Sequence, residues 1–527
     1  MAIIISGIKS PVGSDEGAIT AAALKKLSVK PESVIRSGVH KISLDARKRE
    51  NIHLVASVWL ELPEGMEKRL CARIKECSPV LYTPFSPVIG SEKPSGRIVV
   101  AGFGPAGMFA ALTLAEYGYR PIVFERGADV DSRTAAVNNF WHNKAFDEET
   151  NVQFGEGGAG TFSDGKLTTR ISDPLCRHVL EKLHEMGAPD EILTKAKPHI
   201  GTDKLRDIVK RIRMRIIGLG GEVHFNSKIT DISFSGDKIA SVTANGTEYP
   251  ASAVIAAVGH SARDTFELFC RKGLVLEAKP FSCGARIEHT QESVNYSLYG
   301  KYADDPSLPQ GEYQLSYRKN GRAVYTFCMC PGGTVVPAQS EEKTIVTNGM
   351  SEFARDGKNA NAALVVSVSP EDFGNDPLDG VAFARQIEQR AYSASGGYEA
   401  PALTVGAFLD GNVSIASPSV APTYACGVRP CDFNKFLTPY ITDMMKEGIG
   451  VFSRKMQCWG DRGAVLTAPE TRTSSPVRIT RREDCQAIGK TGFYPCGEGA
   501  GYAGGIMSAA VDGIKCAAAV MARFDNA

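Results

Sequence analysis

The chain has 527 residues, 60 Lys plus Arg against 59 Asp plus Glu, with 43% hydrophobic and 23% charged residues. That length exceeds the roughly 250–300 residues at which single cores stop growing, so two or three domains are expected, and the composition excludes wholesale disorder. A formal net charge of +1 gives no field for gathering a polyanion, so neither a nucleic-acid nor a membrane partner is expected.

In chain order, residues 1–95 read as a small α+β N-terminal domain. Ala2–Ser6 is expected as a strand and Gly17–Leu27 as a helix. Val34–Leu44 and Ile52–Leu62 read as paired strands joined by the charged turn Asp45–Asn51. Met1–Ser6 lacks the charged n-region of a secretory signal. A Pro/Ser-rich stretch, Ser78–Ser95, then links to the main body.

Residues 96–275 open with a strand, Arg97–Ala101, a turn, Gly102-Phe103-Gly104-Pro105-Ala106-Gly107, a helix, Met108–Tyr117, and a second strand, Pro121–Glu125. This order is a βαβ unit. The run Ile98–Ala115 is uncharged, but its glycines and Pro105 would break a membrane-spanning helix. Asp203–Leu219 reads as an amphipathic helix, with strands at Glu222–Phe225, Ile229–Phe234, Ile239–Ala244 and Val254–Val258. Gly218-Leu219-Gly220-Gly221 is a helix stop.

Residues 276–470 change texture. Strand-like runs such as Ala323–Phe327 and Ala363–Val368, with a helix at Gly380–Tyr392, suit an inserted α+β substrate or cap domain. Residues 471–527 return to strand and Gly-rich loop, then a helix from Ile506 to Arg523.

The first glycine cluster carries the strongest signal. Gly102 permits the tight turn, Gly104 lets backbone approach a pyrophosphate, and Gly107 lets helix and strand pack closely; the helix N-terminus faces the phosphates. Glu125, closing the second strand beside Arg126, can accept both ribose hydroxyls of an adenosine and would repel a 2′-phosphate, favouring FAD or NAD over NADP. Gly499, Gly501 and Gly504 repeat the spacing near the end. The sequence given stops at Ala527 without the strand a second nicotinamide site would need, so the repeat is read as the closing segment of a flavoprotein.

Three further strings bear on identity: Gly155–Leu167 (GEGGAGTFSDGKL), Val258–Asp264 (VGHSARD) and Cys496–Ile506 (CGEGAGYAGGI). With Lys279-Pro280-Phe281 and Glu470–Arg478, they resemble the bacterial FAD-dependent dehydrogenases of unassigned substrate, within the flavoproteins that have a glutathione-reductase-type FAD domain. The resemblance covers most of residues 96–527. It implies an α/β fold with a Rossmann-like FAD/NAD(P)-binding domain interrupted by the cap, and non-covalent FAD.

Carried over, Gly102, Gly104, Pro105, Ala106 and Gly107 would hold the pyrophosphate, and Glu125 with Arg126 the adenosine. Val258 and Gly259 would cross the cofactor. Gly497 and Glu498 would hold the ribityl or pyrophosphate region, with Glu where Asp is usual. Gly504, Gly505 and Ile506 would meet the pyrimidine end of the flavin. In the Gly-rich loop, Gly157, Gly158, Thr161, Ser163, Gly165 and Lys166 suit close approach to a planar ring or phosphates; a plain surface loop is the bland alternative.

The implied activity is a dehydrogenase-type transfer of a hydride between FAD and a small-molecule substrate or reductant, with NAD(P)H open as a transient reductant. A flavin-dependent monooxygenase or halogenase, or an RNA-associated flavoprotein using its N-terminal domain, are the alternatives. Catalytic candidates are Lys166, Cys328, Cys330 and Arg472. Each has a structural reading: an ion pair for Lys166, buried thiols for the cysteines, a solvent-facing side chain for Arg472. His142, His260 and His289 are candidate proton-transfer groups, though a lone histidine is more often structural. Thirteen cysteines without a CxxC spacing read as reduced thiols of a cytoplasmic protein, and no metal site is expected.

Overall fold

The computed structural model describes residues 2–80 and 84–526; Leu81–Thr83 of the Pro/Ser-rich stretch lie outside the described residues, as do Met1 and Ala527. The N-terminal strands alternate buried and exposed side chains, and their apolar faces collect against one helix. Ile3, Ile5, Ile8, Val58 and Leu60 pack on Ile19, Ala23, Leu24 and Leu27 of the helix Glu16–Leu27. Asp15 caps that helix by accepting from Ala18 N–H at 2.7 Å. The sheet order is Arg36–Asp45, His53–Glu61, Ala2–Ser10, Cys77–Pro79, antiparallel throughout. A second helix, Met66–Arg73, completes a βαββαβ split unit. It docks on the body through Ile42, which exchanges 2.7 Å backbone bonds with Thr194 and Ala196, and through Arg49, which donates to Ser297 O at 2.5 Å.

The body has two large sheets. One is parallel in the order Glu222–His224, Ile122–Phe124, Arg97–Ala101, the end of Thr247–Ala256, and Phe493–Pro495. Ile229–Ser235, Lys238–Ala244 and the start of Thr247–Ala256 form an antiparallel meander at its flank. The central strands are buried on both faces, which is why they read as unbroken apolar runs. Against this sheet the helix Pro105–Glu116 lies directly on Ile506–Met521. Small residues make that possible: a Cβ on Gly513 would fall 2.1 Å from Ala106 O. Thus the first and last segments of the body share one core.

The second sheet runs Ser316–Lys319, Arg322–Cys330, Asn359–Val368, Phe281–Thr290, Val465–Glu470, Ala400–Thr404, Val428–Pro430. Helices Asp379–Ser395 and Pro439–Lys455 cover it. The chain passes from one sheet to the other through a single antiparallel pair, Leu276–Ala278 with Val477–Ile479. Among the described residues no helix is long and apolar enough to cross a membrane; Ile98–Ala115 is strand, turn and helix.

Candidate functional site

Where the two sheets face each other lies a cavity of about 1320 Å³. Its floor is the glycine turn. Gly102 has φ +95°, and a Cβ there would sit 2.4 Å from Ala257 O, so only glycine fits. Gly104 and Gly158 approach each other across the floor. Both helices that point into the space begin without a side-chain cap, at Gly104 and Gly505. Their first N–H groups and positive dipole ends therefore face whatever occupies it. A Cβ at Gly259, Gly504 or Gly505 would meet nothing within 4 Å. Bare backbone, two open helix ends and a space of this volume fit a dinucleotide.

Glu125 is buried, and its carboxylate accepts from Phe103 N–H at 2.8 Å, Gly127 N–H at 3.0 Å and Gly155 N–H at 2.9 Å. Of about four acceptor directions on a carboxylate, one faces the cavity. The three accepted N–H groups tie the glycine turn to the Gly155 loop and leave one direction for a ribose hydroxyl. Arg126 stacks on Phe154 at 4.1 Å and donates to Glu149 at 2.6 Å and Asp264 at 2.9 Å, so it forms one wall as a fixed plate.

The Gly155–Leu167 loop divides. Gly158, Ser163 and Lys166 line the cavity. Gly157, Thr161 and Gly165 lie outside it: Thr161 is fully buried and donates to Glu156 O at 3.2 Å, holding the loop's own shape. Glu156 sits beneath, accepting from Val130 N–H at 2.8 Å. Gly107 and Gly497 likewise serve packing, the latter donating its N–H to Asp512 at 2.7 Å. Lys166 is paired with Asp164 at 3.0 Å and Glu312 at 3.1 Å. Burial opposes its charge, but the two carboxylates outweigh burial and raise its pKa, so it stays protonated.

The opposite end brings together Glu498, His260 and Arg472, each named from the sequence but not as neighbours. Glu498 has Oε1 3.5 Å from His260 Nδ1 and Oε2 3.3 Å from Gly505 N–H. Enclosure by protein pushes its carboxyl up to about 7, against the pull of Gly505 N–H and Lys279. Burial, with Arg472 and Arg263 nearby, drives His260 down to about 3, so the imidazole is neutral. The contact is therefore a polar one and not an ion pair.

Arg472 is buried at the cavity wall, which corrects its solvent-facing reading. Its Nε and Nη2 donate to Glu388 at 3.1 and 3.2 Å, and Arg263 clamps the same carboxylate at 2.8 and 2.9 Å. Arg472 Nη1 has no partner. That nitrogen has no exposed surface either, so Arg472 reaches the cavity wall with the rest of its side chain while its guanidinium is committed to the Glu388 cluster. Arg478 is exposed.

From the second sheet come Tyr325, Phe327, Cys328 and Arg318, while Cys330 is fully buried behind them. His289 is enclosed by Trp459 and Tyr313, away from the cavity, and His142 bonds its own helix. Among the described residues, Cys496, Asp512 and Cys516 cluster as ligand atoms. Arg481 holds that carboxylate at 2.6 and 3.0 Å, so a cation already stands there.

The family described as "FAD-dependent protein, C-terminal domain-like" matches residues 280–473. An uncharacterized protein of Clostridium beijerinckii is 46% identical over 533 residues, spanning 100% of this chain and 99% of its own length. The FAD-dependent monooxygenase ausM of Penicillium brasilianum is 26% identical over 260 residues, 45% of this chain and 47% of that protein. Among solved structures, glycine oxidase from Geobacillus kaustophilus aligns with TM-score 0.33 and 11% identity over 81% of this chain and 94% of its own. A variant of the halogenase PltM with FAD aligns with TM-score 0.37 and 12% identity over 82% and 71%. At TM-scores this low neither structure bears on this chain's reaction. FAD is the cofactor, and the chain is a flavoprotein with oxidoreductase features. With near-half identity across its full length, the chain belongs to the family of the Clostridium beijerinckii protein, a family of FAD-dependent flavoproteins.

Proposed function

We propose that the chain is a dehydrogenase-type oxidoreductase that moves a hydride between non-covalently held FAD and a small-molecule substrate or reductant. The observation that carries this reading is the single continuous cavity. At about 1320 Å³ it exceeds the roughly 300–1,000 Å³ of ordinary small-molecule sites, leaving room for a dinucleotide and a second molecule. The parallel sheet with its antiparallel meander supports a glutathione-reductase-type FAD domain, and the second sheet stands where a substrate-covering domain would.

FAD, when bound, supplies two-electron chemistry at its isoalloxazine ring. The protein's own part follows from the residues. The glycine turn and the helix start at Pro105 receive the phosphates, and one oxygen direction of Glu125 receives a ribose hydroxyl. The open helix start at Ile506 presents N–H groups where negative charge develops on reduction. Glu498, titrating near neutrality, holds or releases a proton inside the cavity. Arg472, held by Glu388, lends positive charge to the cavity wall, and Arg318 with Tyr325 and Phe327 covers the substrate side.

Anaerobic addition of NADH or NADPH to the FAD-loaded protein tests the electron donor. Bleaching of the flavin spectrum supports a nicotinamide reductant; persistence under both, with bleaching by dithionite, means a different donor. The likeness to ausM supports a second reading, oxygen-using hydroxylation. Reduced flavin reoxidised by oxygen in step with substrate consumption would favour it.

A further inference from the structure

The strand Arg322–Cys330 pairs regularly with Asn359–Val368 from Val324↔Val366 to Phe327↔Ala363, then slips before Cys330↔Asn361. The slip is a bulge, and Cys328 sits in it with φ +43°. A side chain other than glycine is uncommon in that left-handed region. Such conformations persist where the surroundings enforce them, and they concentrate at functional sites. Here Arg286 enforces it. Its Nη1 donates to Cys328 O at 2.8 Å and to Asn361 at 2.9 Å, while its Nε is paired with Glu470 at 3.0 Å.

The bulge puts the Cys328 thiol on the cavity wall, with Cys330 behind it. The Cys330 thiol donates to Cys328 O at 3.5 Å, which holds the two side chains in the same bulge. The two thiols are unequal. Cys328 is pulled down, first by the neighbouring Cys330 side chain and then by Arg286 and Lys166, against burial. Cys330 is pushed upward by the neighbouring Cys328 side chain and by burial. Between them the two sulfurs give up one proton readily, with Arg286 and Lys166 beside Cys328 to stabilise the charge. A disulfide across one intervening residue closes a short, strained ring, and strained disulfides are easily reduced. That suits a pair that cycles and does not suit a structural staple.

We propose that Cys328 and Cys330 are a dithiol–disulfide pair that exchanges two electrons with the flavin in the cavity. This rests on the FAD-loaded reading given above. In the oxidising direction the Cys328 thiolate and Cys330 thiol lose two electrons. An S–S bond forms, the Cys330 S–H bond breaks, and its proton and the two electrons are taken up by oxidised FAD, which becomes anionic reduced FAD. The reverse step returns them. Charge and atoms balance without another reagent, so the chain stores a second electron pair beside the cofactor.

The test is an anaerobic dithionite titration of the FAD-loaded protein after gentle oxidation and gel filtration. The wild type is expected to take four electrons per flavin, and Cys328→Ser or Cys330→Ser two, each variant keeping its flavin spectrum. In parallel, iodoacetamide trapping and peptide mass analysis need no variant. Both cysteines fall in the tryptic peptide Ala323–Lys343, which should carry two labels after reduction and none after oxidation. Flavin bound, two electrons taken up by the wild type and two labels in both states would overturn the pair while leaving the flavoprotein reading intact. Absence of flavin from the folded wild type would instead overturn that reading, and the pair with it.

Discussion

Glu498 Oε1 lies 3.5 Å from His260 Nδ1, and the two groups are driven to opposite ends of the pH scale, the carboxyl up to about 7 and the imidazole down to about 3. At neutral pH the pair therefore exchanges charge only through Glu498. Flavin reduction in the wild type should show an inflection near neutrality, and Glu498→Gln should flatten it. A stopped-flow pH series checks this; an unchanged inflection in the variant would assign it elsewhere.

The same shift has a stability consequence. A carboxyl with its folded pKa raised above the unfolded value keeps its proton in the native state while the unfolded chain releases one. Stability is then highest below the unfolded pKa of about 4.3 and declines as pH rises toward about 7. Thermal melts of FAD-free protein should lose more stability across this window in the wild type than in Glu498→Gln.

Arg472 combines an internal and an external task. Replacing it with Met leaves Glu388 with Arg263 and Thr471. Breaking one side of a buried ion network costs about 3 kcal/mol, readable in urea unfolding. The charge of Arg472 at the cavity wall predicts a second effect, at least a tenfold loss of affinity for FAD or for an anionic substrate, which fluorescence titration measures. Loss of stability with both affinities unchanged would make Arg472 structural only.

Gly104 separates binding from folding. Its φ of −78° suits any residue, and a Cβ there would come no nearer than 3.6 Å to Gly158 Cα. Gly104→Val should change stability by about 1 kcal/mol or less yet abolish FAD retention, because its methyl groups fill the phosphate cradle.

Much of this was legible because local and global signals agreed. Arg97–Ala101, the glycine turn and Ile122–Phe124 are apolar strands around a glycine spacing with one physical use, and their residues meet at the cavity floor. Elsewhere a signal had two meanings. In Pro439–Lys455 glycines interrupt the helical pattern, and Gly448 is bare so that the helix can touch Val324; a Cβ there would fall 2.9 Å from that side chain. Val130–Asn143 is polar in sequence and so was not read as a helix. Its Arg133 is fully buried, donating to Asn151 O, Val152 O and Glu156 O. Met66–Arg73 and Cys77–Pro79 were too short and too polar to stand out, and only packing against the N-terminal sheet fixes them. Likewise Thr161 and Glu125 carry the right residue types, but whether their oxygens serve the ligand or the backbone depends on contacts 5 to 30 residues away.

The most direct measurement is the flavin content of the purified chain after incubation with FAD and gel filtration, followed by denaturation and analysis of the released cofactor. The account predicts one FAD per chain, released without a covalent link, and none retained by folded Gly104→Val. A folded wild-type chain that retains no FAD, or a Gly104→Val variant that retains it fully, would contradict the placement of the cofactor in this cavity.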